Sequence, residues 1–453
     1  MAEWSEQKVI DLQREGWLLV EDGNHGEYRP RPDEFGSGEF AFIRAADMDG
    51  GRVLFDSASR INRKARDRII KGVGAGGDVL LSHKGTVGKL ALVPLEAPPY
   101  VCSPQTTFWR TLNEKKIDRR YLYYYMCSDD FRQQLDSRKG ETDMADYVSL
   151  TAQRALSIVL PDIELQRVIA RILGTLDDRI ELNRRMNHAL EALARALFQS
   201  WFVDFDPVTA KAAGRQPVGM SAETARLFPD SFEDSTLGPI PNGWRLGRLG
   251  EIADNPRRGI QPADVPSGTP YIALEHIPRR CIALDAWSQS DGVASNKFRF
   301  ERGEILFGKL RPYFHKVGVA AVDGVCSTDI LVIIPKHESW FGFALGHISS
   351  GELVQYADAG STGTKMPRTS WQDLARYETV IPPVPIVTAF SAISRTTVER
   401  IEVNIHQSRA LASLRDALLP QLLSGELRVN DETRGGDMTH GIKQGSCPIQ
   451  ARA

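Results

Sequence analysis

The sequence predicts an α/β (mixed α+β) fold: two related globular domains joined by two long antiparallel coiled-coil helices, with a pseudo-twofold internal repeat. Three observations predict it. Blocks of sequence recur about once every half chain, the signature of a duplicated unit. Two long stretches place apolar residues at alternating steps of four and three, the seam of a helix pair. The rest alternates short β-branched and aromatic runs with Gly and Pro, the pattern of short strands and turns.

The repeat is clearest in its helical part. Arg179-Ile180-Glu181-Leu182-Asn183 returns 221 residues later as Arg400-Ile401-Glu402-Val403-Asn404, and the same offset carries Leu190, Leu193 and Leu197 onto Leu411, Leu414 and Leu418. Upstream, Gly77 to Leu81 faces Gly303 to Phe307, Val101-Cys102-Ser103 faces Val325-Cys326-Ser327, and Gly16-Trp17 faces Gly243-Trp244. The offset drifts from 227 near the starts to 221 near the ends, as small loop insertions in two diverged copies require.

Taken in order, residues 1–160 are predicted as the first globular domain and 161–205 as the first long helix. Residues 206–241 follow as a Pro- and Gly-punctuated linker with at most a short helix. Residues 242–382 form the second domain, 383–425 the second helix, and 426–453 a polar, Gly-rich tail expected to be disordered. Val79 to Leu81, Val317 to Val322 and Ile330 to Ile334 are the clearest strands. Pro161 and the Pro382-Pro383 pair sit just before the helices, where proline is well tolerated.

The first helical stripe runs Ile169, Leu173, Leu176, Ile180, Asn183, Asn187, Leu190, Ala194, Leu197, Trp201; the second runs Phe390, Ile401, Asn404, Ser408, Leu411, Leu418, Leu422. Both are polar at their middles. An amide inside an apolar seam lowers stability and fixes register, because it needs a polar partner across the interface. A helix of about 35 to 40 residues is roughly 50 to 60 Å long, enough to act as a spacer. The competing expectation is that each helix simply packs on its own domain.

Composition narrows the function classes. The chain has 453 residues, 42% hydrophobic and 25% charged, which suits a soluble globular protein of two or three domains. No apolar run approaches the ~18 residues of a spanning helix. The opening Met1 to Glu6 lacks a basic flank before an apolar stretch, so no secretory signal is expected, and the chain is placed in the cytoplasm. Fifty-six Lys and Arg stand against 58 Asp and Glu, a net charge of −2; any nucleic-acid contact must come from local patches. Cys102, Cys127, Cys281, Cys326 and Cys447 form no C-x-x-C pair, and no His cluster has zinc spacing, so reduced, mostly buried thiols and no metal site are expected.

Catalytic motifs are absent or broken. Ala97-Pro98-Pro99-Tyr100 resembles the Pro-Pro-aromatic core of an amino-methyltransferase, but alanine stands where an amide or carboxylate would bind the target amine, so it reads as a turn. Gly85-Thr86-Val87-Gly88-Lys89 has the wrong spacing for a phosphate loop, and Leu90 replaces the magnesium-binding hydroxyl. No nuclease, hydrolase or zincin signature is present.

Against this background, Leu160 to Phe205, Phe228-Pro229-Asp230-Ser231-Phe232, Gly238-Pro239-Ile240-Pro241-Asn242-Gly243-Trp244 and Leu418 to Leu427 resemble the specificity subunit of a Type I restriction-modification enzyme. The resemblance covers nearly the whole chain. Glu15-Gly16-Trp17 departs from the Pro-x-Gly-Trp opening of the second copy. The resemblance implies two target-recognition domains reading an interrupted double-stranded DNA site, with the helices setting the gap and docking two modification (methyltransferase) subunits. Restriction (endonuclease/translocase) subunits would join that core. It implies no catalysis and no cofactor in this chain, with S-adenosylmethionine, ATP and Mg on the partners. The alternative is a stand-alone DNA methyltransferase or nuclease component with an unrecognised catalytic site; a pure protein-binding scaffold is a third.

DNA-binding candidates are sought on equivalent Gly-rich loops, since phosphate contacts position and base contacts specify. After the first-copy strand come Ser82, His83, Lys84, Thr86 and Lys89; at the same place in the second copy come Lys309, Arg311, Tyr313, His315 and Lys316. The resemblance adds Gly360 to Arg368, with Ser361, Thr362, Lys365 and Arg368, and a more acidic first-copy partner at Lys139 to Asp146. Arg60 to Lys71 carries six positive residues against one aspartate and could track phosphates or simply be a solvated face.

Overall fold

The computed structural model describes residues 4–23, 25–142, 145–361 and 366–427; the predicted tail, apart from Glu426 and Leu427, lies outside them. The chain divides into two compact units. Unit 1 comprises residues 1–178 with 412–453, and unit 2 comprises 179–411.

Unit 1 is built on an antiparallel four-stranded sheet in the order Leu18–Asp22, Thr106–Thr111, Val79–Ser82, Leu90–Leu92. A second sheet runs Ser59–Ile61, Phe35–Ile43, Tyr100–Cys102, its last pair parallel. Ser5–Lys8 pairs with Ser157–Leu160 just before the first long helix. All four residues of Val79–Ser82 are buried, because one sheet face meets Val9, Tyr121 and Leu135 and the other meets Ala41 and Cys102. Such a strand reads as an uninterrupted apolar run with no alternation.

Unit 2 repeats this plan. Its four-stranded antiparallel sheet runs Ala253–Asp254, Ile330–Pro335, Ile305–Gly308, Val317–Val319. Pro270–Ile272 lies parallel to Gly324–Cys326, and Arg245–Arg248 pairs with Glu378–Ile381 before the second long helix. The sequence repeat is therefore a structural repeat in the four-stranded sheet and the parallel strand pair, while the second sheet has three strands in unit 1 and five in unit 2. Each copy pairs the acid after the matched glycine with an arginine, fully buried in unit 1 and partly buried in unit 2. Asp78 is fully buried and takes Nε and Nη2 of Arg110 at 2.7 and 2.8 Å; Glu304 takes the Arg258 guanidinium.

The long helices are Ile163–Phe202 and Val384–Leu423, 40 residues each. Within unit 1, Leu422 shares a core with Ile169 and Leu173, and Arg415 Nη1 meets Asp177 Oδ1 at 2.7 Å. Within unit 2, Phe390 packs on Trp201 and Phe202, with ring centres 5.5 and 5.0 Å apart, while Asn404 lies against Asn187. In both units the pairing is antiparallel, because high numbers on one helix meet low numbers on the other. The polar middle resolves into two pairs. Asn404 Nδ2 donates to Asn187 Oδ1 at 2.8 Å, and Asn183 Nδ2 donates to Ser408 Oγ at 3.2 Å and Gln407 Oε1 at 3.0 Å. The repeat offset exchanges Asn187–Asn404 with Ser408–Asn183, so one pair is the repeat image of the other.

Residues 206–241 differ from the prediction. They hold two helices, Asp206–Ala212 and Ala222–Arg226, the second capped by the Ser221 hydroxyl. Val208 and Phe228 enter the unit 2 core beside Trp201, Phe202 and Trp244. Edge-to-face ring contacts, such as the 5.2 Å Trp201–Phe228 pair, knit this segment to its neighbours. Cys102 and Cys326 are buried free thiols and Cys127 and Cys281 partly buried ones; Cys447 lies outside the described residues. Among the described residues no helix is long and apolar enough to cross a membrane.

Candidate nucleic-acid interface

In unit 1 the loop after Val79–Ser82 is held on two sides. His83 N–H donates to Gln105 O and Gly88 N–H closes back on Ser82 O, both at 2.9 Å. Gly85 N–H then donates to Asp146 O at 3.0 Å, and Val148 N–H donates to His83 O at 2.9 Å. The loop thus lies against residues 146–148.

Unit 2 repeats the arrangement. Lys309 N–H donates to Asp329 O at 2.9 Å, Arg311 N–H to Pro367 O at 2.8 Å, and Thr369 N–H to Lys309 O at 3.1 Å. In each unit, then, the two candidate segments named from sequence are brought side by side to form one edge. Thr362 and Lys365 lie outside the described residues.

The side chains on these edges divide by what they touch. Lys84 and Thr86 are exposed, with the Lys84 ammonium 6.0 Å from the centre of the Tyr147 ring. Tyr313 is 49% exposed. Arg368 is also open to solvent and sits 3.4 Å from Asp329. Lys309 and Arg311 are half-buried.

Others serve the loop itself. Ser82 Oγ accepts from Lys89 N–H at 2.8 Å, and Ser361 Oγ donates to Asp358 O at 2.7 Å. His83 is buried, its Nδ1 donating to Val148 O at 3.1 Å, and burial holds its pKa below the ordinary imidazole value. His315 Nε2 donates to Ser349 O at 2.9 Å and is shifted in the same direction by burial.

The matched lysines share a backbone role. Lys89 Nζ donates to Met48 O at 3.1 Å and Ala45 O at 3.3 Å, and Lys316 Nζ donates to Leu274 O. Ala45–Asp47 and Leu274–His276 are matching 3-10 turns; each lysine ties a turn end to the edge.

Residues not picked out from sequence join the unit 2 edge. Arg279 pairs with Lys316 through an isolated β-bridge and sets its guanidinium 4.1 Å from the centre of the Phe314 ring. Arg280 N–H donates to His315 O at 2.9 Å. The adjacent arginines were a visible signal, but nothing in the sequence placed them against a loop thirty-odd residues away.

A family profile for the Type I restriction modification DNA specificity domain matches residues 27–192. The chain is 25% identical over 418 residues to the Type I restriction enzyme MjaIX specificity subunit of Methanocaldococcus jannaschii, covering 88% of this chain and 89% of that one. It is 24% identical over 484 residues to the HindI specificity subunit of Haemophilus influenzae, covering 94% and 100%. Over most of its length the chain is similar to Type I restriction-modification specificity subunits. The crystal structure of the S subunit from M. genitalium shares its fold, with a TM-score of 0.52 at 12% identity, covering 93% and 96% of the two chains.

The basic run Arg60 to Lys71 is partly committed within unit 1. Arg68 pairs with Glu34 at 2.5 and 2.9 Å, holding that carboxyl at about 2, and Arg63 pairs with Glu39 at 2.9 Å. Lys64 and Lys71 remain exposed. The Pro-Pro-Tyr segment is not a turn: the chain turns earlier, at Leu95-Glu96, and Tyr100 opens a buried strand, where its hydroxyl donates to Asp78 Oδ2 at 2.8 Å. Among the described residues no group of three or more His, Cys, Asp or Glu side chains could hold a metal.

Proposed function

We infer that the chain is the address-bearing subunit of a Type I restriction-modification assembly acting on cytoplasmic DNA. Each unit reads one half of an interrupted double-stranded site. The observation that carries this reading is the repeated edge: one backbone arrangement, built twice, presents Lys84 and Thr86 in one copy and Lys309, Arg311 and Tyr313 in the other. Equal frames with unlike side chains suit two readers of unlike sequences, since base edges are told apart by donor and acceptor chemistry.

The paired helices offer the docking surface for two modification subunits, which would bring S-adenosylmethionine; restriction subunits would bring ATP and Mg. In this reading the chain itself performs no bond-making step. Co-expression with a modification subunit, followed by genome-wide mapping of methylated bases, tests it. An interrupted motif with two unlike halves, found only with both chains present, is the expected result. A continuous motif, or methylation by this chain alone, would favour the stand-alone enzyme.

A further inference from the structure

The two edges share a backbone, and at two matched places that backbone is left-handed. In unit 1 both places hold glycine: Gly85, which donates to Asp146 O, has φ +82°, and Gly88, which precedes Lys89, has φ +98°. In unit 2 the residue donating to the matching carbonyl of Pro367 is Arg311, at φ +51°, and the residue preceding the matched Lys316 is His315, also at φ +51°. A third case adjoins them. The hairpin that follows the 3-10 turn held by Lys89 bends at Gly50 and Gly51, with φ +54° and +77°; the segment after the turn held by Lys316 bends at Arg280, with φ +55°.

Glycine enters the left-handed region freely, whereas a Cβ there crowds the carbonyl, so a branched or long side chain at such a place is strained. Strain of this kind collects where function requires a particular side chain. His315 has a local reason for its residue type in the bond from its ring to Ser349 O. Arg280 is exposed, and Arg311 sits half-buried on the same edge between Lys309 and the 49%-exposed Tyr313. A guanidinium carried on a tight turn is well suited to a phosphate or to the O6 and N7 of guanine, both of which it can grip with two parallel hydrogen bonds.

We propose that Arg280 and Arg311 are DNA-contacting side chains kept on backbone shaped for glycine, so that unit 2 holds its half-site through guanidinium contacts for which unit 1 has glycine. The proposal rests on the reading of unit 2 as a DNA reader. Its virtue is that the informative substitution is conformationally favoured: Arg311→Gly places in unit 2 the residue that unit 1 uses at the matched position, and Arg280→Gly relieves a left-handed backbone beside it.

The full chain, assembled with a modification subunit, would be compared as wild type and as each variant. The readouts are thermal unfolding, affinity for a duplex carrying the mapped motif, and the motif itself. The expected result is a melting temperature unchanged or raised, with affinity reduced tenfold or more. Loss of preference at one guanine of a single half-site would mark a base contact; a uniform loss with a salt slope shallower by about 1 would mark a phosphate contact. Affinity and motif within twofold of wild type would overturn the proposal, and so would a loss that tracks a lowered melting temperature. Failure of the wild-type assembly to methylate any interrupted motif would instead remove the underlying reading.

Discussion

Two buried residues set sharp expectations for stability. Asp78 sits at the crossing of Arg110, the Tyr100 hydroxyl and the Ala75 N–H, with no exposed surface. Asp78→Ala would leave Arg110 without its carboxylate inside unit 1, and breaking a buried pair of this kind costs about 3–5 kcal/mol; chemical denaturation of the purified chain measures it. His347, walled in by Phe198 and Phe343, is held down at about 3 by burial. Its folded value lies below the ordinary ~6.5, so the unfolded chain takes up a proton that the folded chain refuses. This contribution is absent above pH 6.5 and erodes stability at up to about 1.4 kcal/mol per pH unit on the way down to pH 3. His347→Leu should flatten the fall in melting temperature over that window; an unchanged slope would assign the acid sensitivity elsewhere. At this scale the sequence showed which loops carry basic side chains but not where each one points. Lys89 and Lys316 reach backbone carbonyls some forty residues upstream, and such a partner leaves no pattern in sequence. A left-handed φ at an arginine is equally silent, since the residue type argues against it.

Among the elements, the long helices were the most legible. Of the predicted seam, Ile169, Leu173, Asn183, Asn187, Trp201, Phe390, Ile401, Asn404 and Leu422 are buried, while Leu176, Ile180, Leu190, Ala194, Leu197, Ser408, Leu411 and Leu418 are partly buried, a gradient that fits packing against one antiparallel partner. The paired amides predict a specific coupling. Asn404→Leu strips Asn187 of its buried donor and should cost about 2 kcal/mol. Combining it with Asn187→Leu replaces the pair by two apolar side chains and should restore much of that loss in thermal unfolding. Equal, additive losses would show that the amides act independently. The segment 206–241 was misjudged for a physical reason. Proline and glycine mark where a chain turns, but they say nothing of whether the turns are covered, and here Val208 and Phe228 supply apolar surface that Trp201 and Trp244 cover.

For the molecule as a whole, the duplication was the most informative feature, since it predicted matching sheets before any strand order was known. Its two edges make a separable prediction. Lys84→Ala combined with Thr86→Ala should blur one half of the methylated motif and leave the other intact; Lys309→Ala should do the reverse. Damage to both halves from either change would argue that the units do not read independently. With a net charge of −2, little background attraction to DNA masks such local losses. What the sequence could not supply at this scale is the target itself, because it depends on loop conformation and on DNA shape.

The burial of residues 206–241 also bears on how such chains could be recombined. A crossover placed in that Pro-rich stretch, the obvious seam by eye, would graft Val208 and Phe228 onto a stranger's core. One placed near Asp178, inside the first long helix where the compact units divide, would transfer the C-terminal half of that helix together with the aromatic side chains that complete it. Exchange of sequence preference between related chains should therefore succeed more often when the join falls within a helix than when it falls within the apparent linker.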